Sequence, residues 1–368
     1  MKHKIITICI FLFSLLVLFV GCTSDNKTDV INDKNSVNIY ISANGDLLYC
    51  KGNITDKGVF TENTLSLGIR KKGEIISEIE EDGDGNIYCT ISSLSGGRIG
   101  DKIYVANKDK IKSTVQLDKQ FGPNKIINVG NKMYVASAVK PAIVDKNGVT
   151  YLGINKNEQI VDKFNLKGVL TSSAVHKGYT YMTICEAEKV GFLGISNSYM
   201  VRVNNKTKEI KILNDKLKAK TPRSMAISTD GKIYLVDTPM YSKNKKVSIL
   251  YKYDLEGNEL ASYELDNWAD KIAIRENGIA YITHRGKEEI YDDLGEVLTI
   301  FDTKKERKVE KIKVGKGPSN IFIYEKYLLV SNYTDSTISV INMDTNDSIG
   351  QINIDNKYKI DETILTKK

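Results

Sequence analysis

Apolar and polar positions alternate along this chain in short runs, and seven of the runs share one form. Each is a short polar turn followed by an apolar stretch centred on Tyr or Leu. The seven are LLYC (47–50), NIYC (86–89), KMYV (132–135), YTYM (179–182), KIYL (232–235), IAYI (279–282) and YLLV (327–330). Their central residues are Tyr49, Tyr88, Tyr134, Tyr181, Tyr234, Tyr281 and Leu329, separated by 39, 46, 47, 53, 47 and 48 residues. Period-two alternation marks a half-buried strand, and self-similarity at a fixed step marks a repeat architecture.

Tight turns set the order within each repeat. Met225-Ala226-Ile227 leads through Thr229-Asp230-Gly231 into the next strand, and Ile272-Ala273-Ile274 leads through Glu276-Asn277-Gly278. Asp-Gly and Asn-Gly between alternating runs signal hairpins, because primed turns need positive φ. Third and fourth strands follow, as in 247–254 with 259–265, 297–302 with 308–314, and 337–342 with 348–354. About four antiparallel strands per repeat, seven times over, predict an all-β seven-bladed β-propeller spanning 37–357. One blade has two apolar faces, and stacking blades round an axis buries both. A β-sandwich has no reason for a seven-fold motif, and a strand–helix barrel needs helical patterns that are absent. The one helix-like stretch, 186–192, reads as an insertion in the fourth blade.

The last repeat reads Gly317-Pro318-Ser319-Asn320, then YLLVSNYTDSTISVINMDTNDSIG. Leu329-Val330-Ser331-Asn332 and Ile338-Ser339-Val340-Ile341-Asn342 with Thr345 resemble the YVTN repeat family of seven-bladed propellers. Tyr104-Val105-Ala106-Asn107, third in its blade, is similar to the same strand motif. The resemblance covers about the last 150 residues by motif and the rest by period alone. It implies a propeller that serves as a binding or scaffold module.

Blade one is irregular. Its inner strands are expected at 37–41 and 47–50 and its third at 65–70. The short first step of 39 implies a missing fourth strand, which the tail at 358–365 is placed to supply; a frayed tail is the alternative.

The amino terminus adds a compartment. Basic MKHK precedes an uncharged run from Ile5 to Val20, the n-region and h-region of a secretory leader. Phe19-Val20-Gly21-Cys22 resembles the lipobox of bacterial lipoproteins, with Phe19 where Leu is usual. The resemblance implies a leader at 1–21, a lipid on Cys22, a polar tether at 22–36 and an anchor in the bilayer outside the cytoplasmic membrane. An uncleaved stop-transfer segment is the alternative.

Composition excludes several functions. The net charge of +7 falls to +5 when Lys2 and Lys4 leave with the leader, and it is spread along the chain. Without a basic stripe there is no nucleic-acid partner. Beyond the leader and Cys22 stand three cysteines, Cys50, Cys89 and Cys185, read as buried thiols, with a Cys50–Cys89 bond as the alternative. His176 and His284 are the only histidines past the leader, and no HExxH or CxxC occurs, so neither a metal nor another cofactor is expected. No G-x-S-x-G occurs. Asp82-Gly83-Asp84-Gly85-Asn86 opens like a calcium loop but has Ser93 where a Glu is needed, so it reads as a turn. Gly96-Gly97-Arg98-Ile99-Gly100 reads as a loop.

Long loops gather on one face, at 92–101, 138–141, 186–191, 237–246, 283–293 and 332–336. Long loops on a rigid frame carry function. They collect Arg98, Lys140, Arg223, Tyr241, Trp268, His284, Arg285 and Tyr333 as candidate ligand-binding residues. The expectation is a monomeric, tethered binding module for an envelope protein, peptide or glycan, with no catalytic residue assigned. The alternative is an envelope hydrolase or lyase acting on a glycan, lactone or peptide at the channel mouth.

Overall fold

The computed structural model describes residues 36–69, 75–92, 100–118, 121–137, 149–187, 195–238, 247–286 and 295–367. The described strands form seven antiparallel sheets, the blades of a seven-bladed propeller with about four strands each. Blade two runs outward through Ile75–Glu81, Ile87–Ser92, Lys102–Asn107 and Lys110–Gln116. The innermost strands of blades three to seven are Pro123–Asn128, Val169–His176, Pro222–Ile227, Ala269–Ile274 and Pro318–Tyr324.

Blade one is built from both ends of the chain. Its innermost strand is Ile360–Lys367, which pairs antiparallel with Ser36–Ala43. Asp46–Thr55 is third, and Gly58–Thr61 is outermost. The expected order in this blade is therefore corrected by one place: 37–41 is second, 47–50 is third, and the carboxyl-terminal segment is innermost rather than fourth. The residue equivalent to the other central tyrosines is Tyr40, opposite Ile364, and not Tyr49. Counted from Tyr40 to Tyr88 the first step is 48 residues, so the short step of 39 compared a third strand with a second.

Seven apolar clusters fill the spaces between neighbouring blades. Tyr40, Tyr88, Tyr134, Tyr181, Tyr234, Tyr281 and Leu329 sit in them almost wholly buried. A buried phenol needs a partner. Tyr234 donates to the Thr303 carbonyl of the next blade at 3.2 Å and Tyr281 to that of Met343 at 3.5 Å. On the face opposite the long loops, Gly278 has φ of 91° in its turn, and an added Cβ would lie 3.0 Å from Thr303 Oγ1.

Cys50, Cys89 and Cys185 are free and buried. In the Asp82–Asn86 turn, Asp82 Oδ1 accepts the amides of Asp84 and Asn86 at 2.8 and 3.1 Å. Residues 186 and 187 continue the strand Tyr179–Ala187, which corrects the helix-like reading there; 188–192 lie outside the described residues.

Candidate functional site

Every inner strand carries the same irregularity at the end nearest the long loops. One position there has no partner on the second strand. It is Ser77 in blade two, Asn124 in three, Thr171 in four, Arg223 in five, Ser319 in seven and Asp361 in one. In blade six Asp270 and Lys271 share the bulge. The residue before each is buried: Ile76, Pro123, Leu170, Pro222, Ala269, Pro318 and Ile360. The residue after each single bulge is polar: Glu78, Lys125, Ser172, Ser224, Asn320 and Glu362, with Lys271 closing the ring. A β-bulge turns a strand locally and re-aims its side chains. Seven of them give two polar tiers round the mouth of the axis.

The second tier joins neighbouring strands. Glu362 Oε2 accepts the Ile79 amide at 2.9 Å, and Asn320 Nδ2 stands 3.5 Å from its other oxygen. Glu78 accepts the Ile126 amide and the Lys125 ammonium, both at 2.7 Å. Ser224 Oγ accepts the Ile272 amide at 3.2 Å.

Charge is unevenly spread round this ring. The carboxyl groups of Asp361, Glu362, Glu78 and Glu80 belong to blades one and two, and Lys125, Arg223 and Lys271 to blades three, five and six, where the one carboxyl group in these tiers, Asp270, is matched by Arg223. Burial, reinforced by Glu78, pushes the Glu362 carboxyl up to about 7, against the pull of Lys271 and Lys125. Burial acts to discharge Lys125, but Glu78 and Glu362 outweigh it and hold its ammonium above the usual value. A carboxyl group that titrates near neutrality can act as a general base, and a cation near it can meet a developing oxyanion. Among the described residues no group of three His, Cys, Asp or Glu side chains is arranged to hold a metal ion.

The residues singled out from sequence fall into three sets. Cys22, Arg98, Lys140 and Tyr241 lie outside the described residues. Arg223, Trp268, Arg285 and Tyr333 lie together on the rim of blades five to seven. Arg223 pairs with Asp270 at 2.8 Å, the Arg285 amide donates to the Trp268 carbonyl at 3.0 Å, and its guanidinium carbon lies 5.0 Å from the Tyr333 ring centroid. His284 ends the strand Ile279–His284 and is buried, its Nε2 2.8 Å from Thr299 Oγ1, so its placement on the open rim is corrected. Glu78, Glu80, Lys125, Lys271, Asn320 and Glu362 were missed. Their signal is a recurring triplet at the start of each inner strand, as in Pro123-Asn124-Lys125, Pro222-Arg223-Ser224 and Pro318-Ser319-Asn320. It is readable only after the inner strands are known.

No protein-family model matches the chain, and no curated protein does. Solved structures do. A periplasmic gluconolactonase of Pseudomonas aeruginosa is similar at 12% identity with a TM-score of 0.64, over 90% of this chain and 99% of that one. A provisionally named 6-phosphogluconolactonase of Bacteroides fragilis is similar at 15% identity with a TM-score of 0.61, over 94% and 99%. Kuenenia stuttgartiensis hydrazine synthase shares the fold at 11% identity and a TM-score of 0.53, over 73% of this chain and 77% of that one. At such identities the likeness carries the fold. The two lactonase-named propellers nonetheless overturn the expectation of a module that only binds and does no chemistry. The enzyme alternative is the better supported.

Proposed function

We propose that this chain hydrolyses a sugar lactone at the loop-rich mouth of its axial channel. The observation that carries the reading is the polarised polar ring: carboxyl groups on blades one and two, with Lys125 and Lys271 acting electrostatically on Glu362. The two lactonase-named propellers support the same class of substrate. Hydroxyl and amide side chains complete the tiers at Ser77, Asn124, Thr171, Ser172, Ser224 and Asn320. Such a lining suits a polyhydroxylated ring.

In this mechanism Glu362 takes a proton from water as the water oxygen attacks the lactone carbonyl. The carbonyl electron pair moves onto its oxygen beside Lys271, which forms no ion pair with a described residue. The tetrahedral intermediate collapses with cleavage of the ring C–O bond. The leaving oxygen takes the proton back from Glu362, the new carboxylic acid releases its remaining proton to solvent, and a hydroxy-acid carboxylate departs.

The leader-like amino terminus supports a location outside the cytoplasmic membrane, and the name of the periplasmic gluconolactonase of similar fold agrees with it. Attachment through a lipid on Cys22, and kinship with the YVTN repeat family, belong to the same proposal and rest on the sequence motifs alone. A pH-stat assay on a six-carbon aldonolactone tests the activity. Glu362→Gln is expected to lower kcat by about 100-fold or more with folding intact. Wild-type protein that leaves the spontaneous rate of lactone opening unchanged sinks the reading.

A further inference from the structure

Ile360–Lys367 runs, as the other inner strands do, from the loop-rich mouth to the face of tight turns. It begins at Ile360, the residue before the bulge at Asp361, and Ala43 lies opposite it. The Asn44-Gly45 turn is at the same end, the Asn44 amide donating to the Lys359 carbonyl at 3.1 Å. Ser36–Ala43 is antiparallel to the inner strand, so its first residues are at the other end, with Val37 opposite Lys367. The chain therefore enters the propeller on the tight-turn face, the full height of a blade away from the polar tiers.

Reach limits how the domain can turn on a tether. Residues 22–35, fourteen in all, stand between the proposed lipid and Ser36. A polar coil of that length spans roughly 20 Å, and about 50 Å when taut. To lay the mouth on a bilayer, the tether must cross Asp46–Thr55 and Gly58–Thr61 and then follow the blade over its height. That route takes about 35 Å before any loop is cleared. The tight-turn face itself is neutral where its charges are paired across blades. Arg202 meets Glu256 at 2.8 Å, and Lys252–Glu306, Arg275–Asp344 and Lys326–Asp56 each meet at 2.6 Å. Charges matched in this way neither enter hydrocarbon nor draw the face to anionic headgroups. The point of entry, and not an attraction of the face, sets the orientation.

We propose that the tight-turn face is the surface this protein turns toward a lipid bilayer, and that the mouth opens away from the bilayer onto water. The orientation rests on the proposed anchor at Cys22; an uncleaved apolar segment at 5–20 would join the same strand and give the same orientation. It narrows the substrate class of the lactone reading. The site takes a water-borne sugar lactone and not one carried on a lipid chain, because the bilayer lies behind the blades.

The test uses the full lipid-bearing protein in vesicles of phosphatidylethanolamine and phosphatidylglycerol that carry a nitroxide quencher on the headgroup. Glu276→Cys places a fluorophore on the tight-turn face, and Lys316→Cys places one at the mouth; both positions are exposed, whereas Cys50, Cys89 and Cys185 are buried. The Glu276 label is expected to be quenched about threefold more than the Lys316 label, since a blade height separates them. Equal quenching, or stronger quenching at Lys316, overturns the orientation. Protein that does not float with the vesicles overturns it together with the anchor. The labels need no substrate, so quenching as expected in a protein without lactone turnover sinks the hydrolase and leaves the orientation standing. In the lactone assay, kcat/KM for the aldonolactone is expected to agree within about twofold between vesicles and detergent micelles, and a fall of roughly tenfold on vesicles overturns the open mouth.

Discussion

Asp270 keeps its charge where little water reaches it. Its side chain is 6% exposed and pairs with Arg223 at 2.8 Å. Burial acts to raise its carboxyl, yet Arg223, Lys271 and Arg285 outweigh that and hold it below the usual carboxylate range. A depressed carboxyl contributes stability above its unfolded value and loses it as pH falls through the folded one. Asp270→Asn leaves Arg223 facing a neutral amide and is expected to cost about 2 kcal/mol, less than a fully buried pair because Arg223 is partly exposed. Thermal melts at pH 7 and pH 3 measure it: the gap between variant and wild type narrows at the lower pH. A gap that widens there counts against the account. Sequence alone could not tell Asp270 from the other acidic residues. Its role depends on a bulge that turns it toward Arg223, 47 residues away.

At the scale of the strand, the turns were legible and the closure was not. Asp230-Gly231 and Asn277-Gly278 stated their hairpins because positive φ leaves a chemical mark. The order of blade one left no such mark, since any of its strands reads as an apolar alternation. Pairing settled it: Ser36–Ala43 is buried along its whole length because Ile360–Lys367 covers its inner side. That last strand also carries Glu362 and contributes Ile360 and Leu365 to the core between blades seven and one. Deleting residues 357–368 therefore strips the inner strand of a blade and a site residue together. The melting temperature is expected to fall by about 10 °C or more, with loss of the proposed lactone hydrolysis. A truncated protein that melts like wild type would show that the ring does not need this strand.

Over the whole molecule, the long loops drew attention to the rim, while the polar groups that converge are on the inner strands beneath it. Compartment is a separate matter, carried by the Gly21-Cys22 pair. Labelling with a radioactive fatty acid is expected to mark wild type and not Cys22→Ala; equal labelling of both removes the anchor from the proposal. The sequence by itself determined the all-β class, the seven-fold repeat and the tight turns, because strand alternation, a fixed step and left-handed turn residues are local properties of the chain. The tertiary structure alone decided which strand is innermost, and therefore which side chains share the channel mouth. Glu78, Lys125 and Glu362 are 47 and 284 residues from one another along the chain when counted from Glu78. They become neighbours through ring closure, where burial and mutual charge give Glu362 an acidity that no single strand encodes.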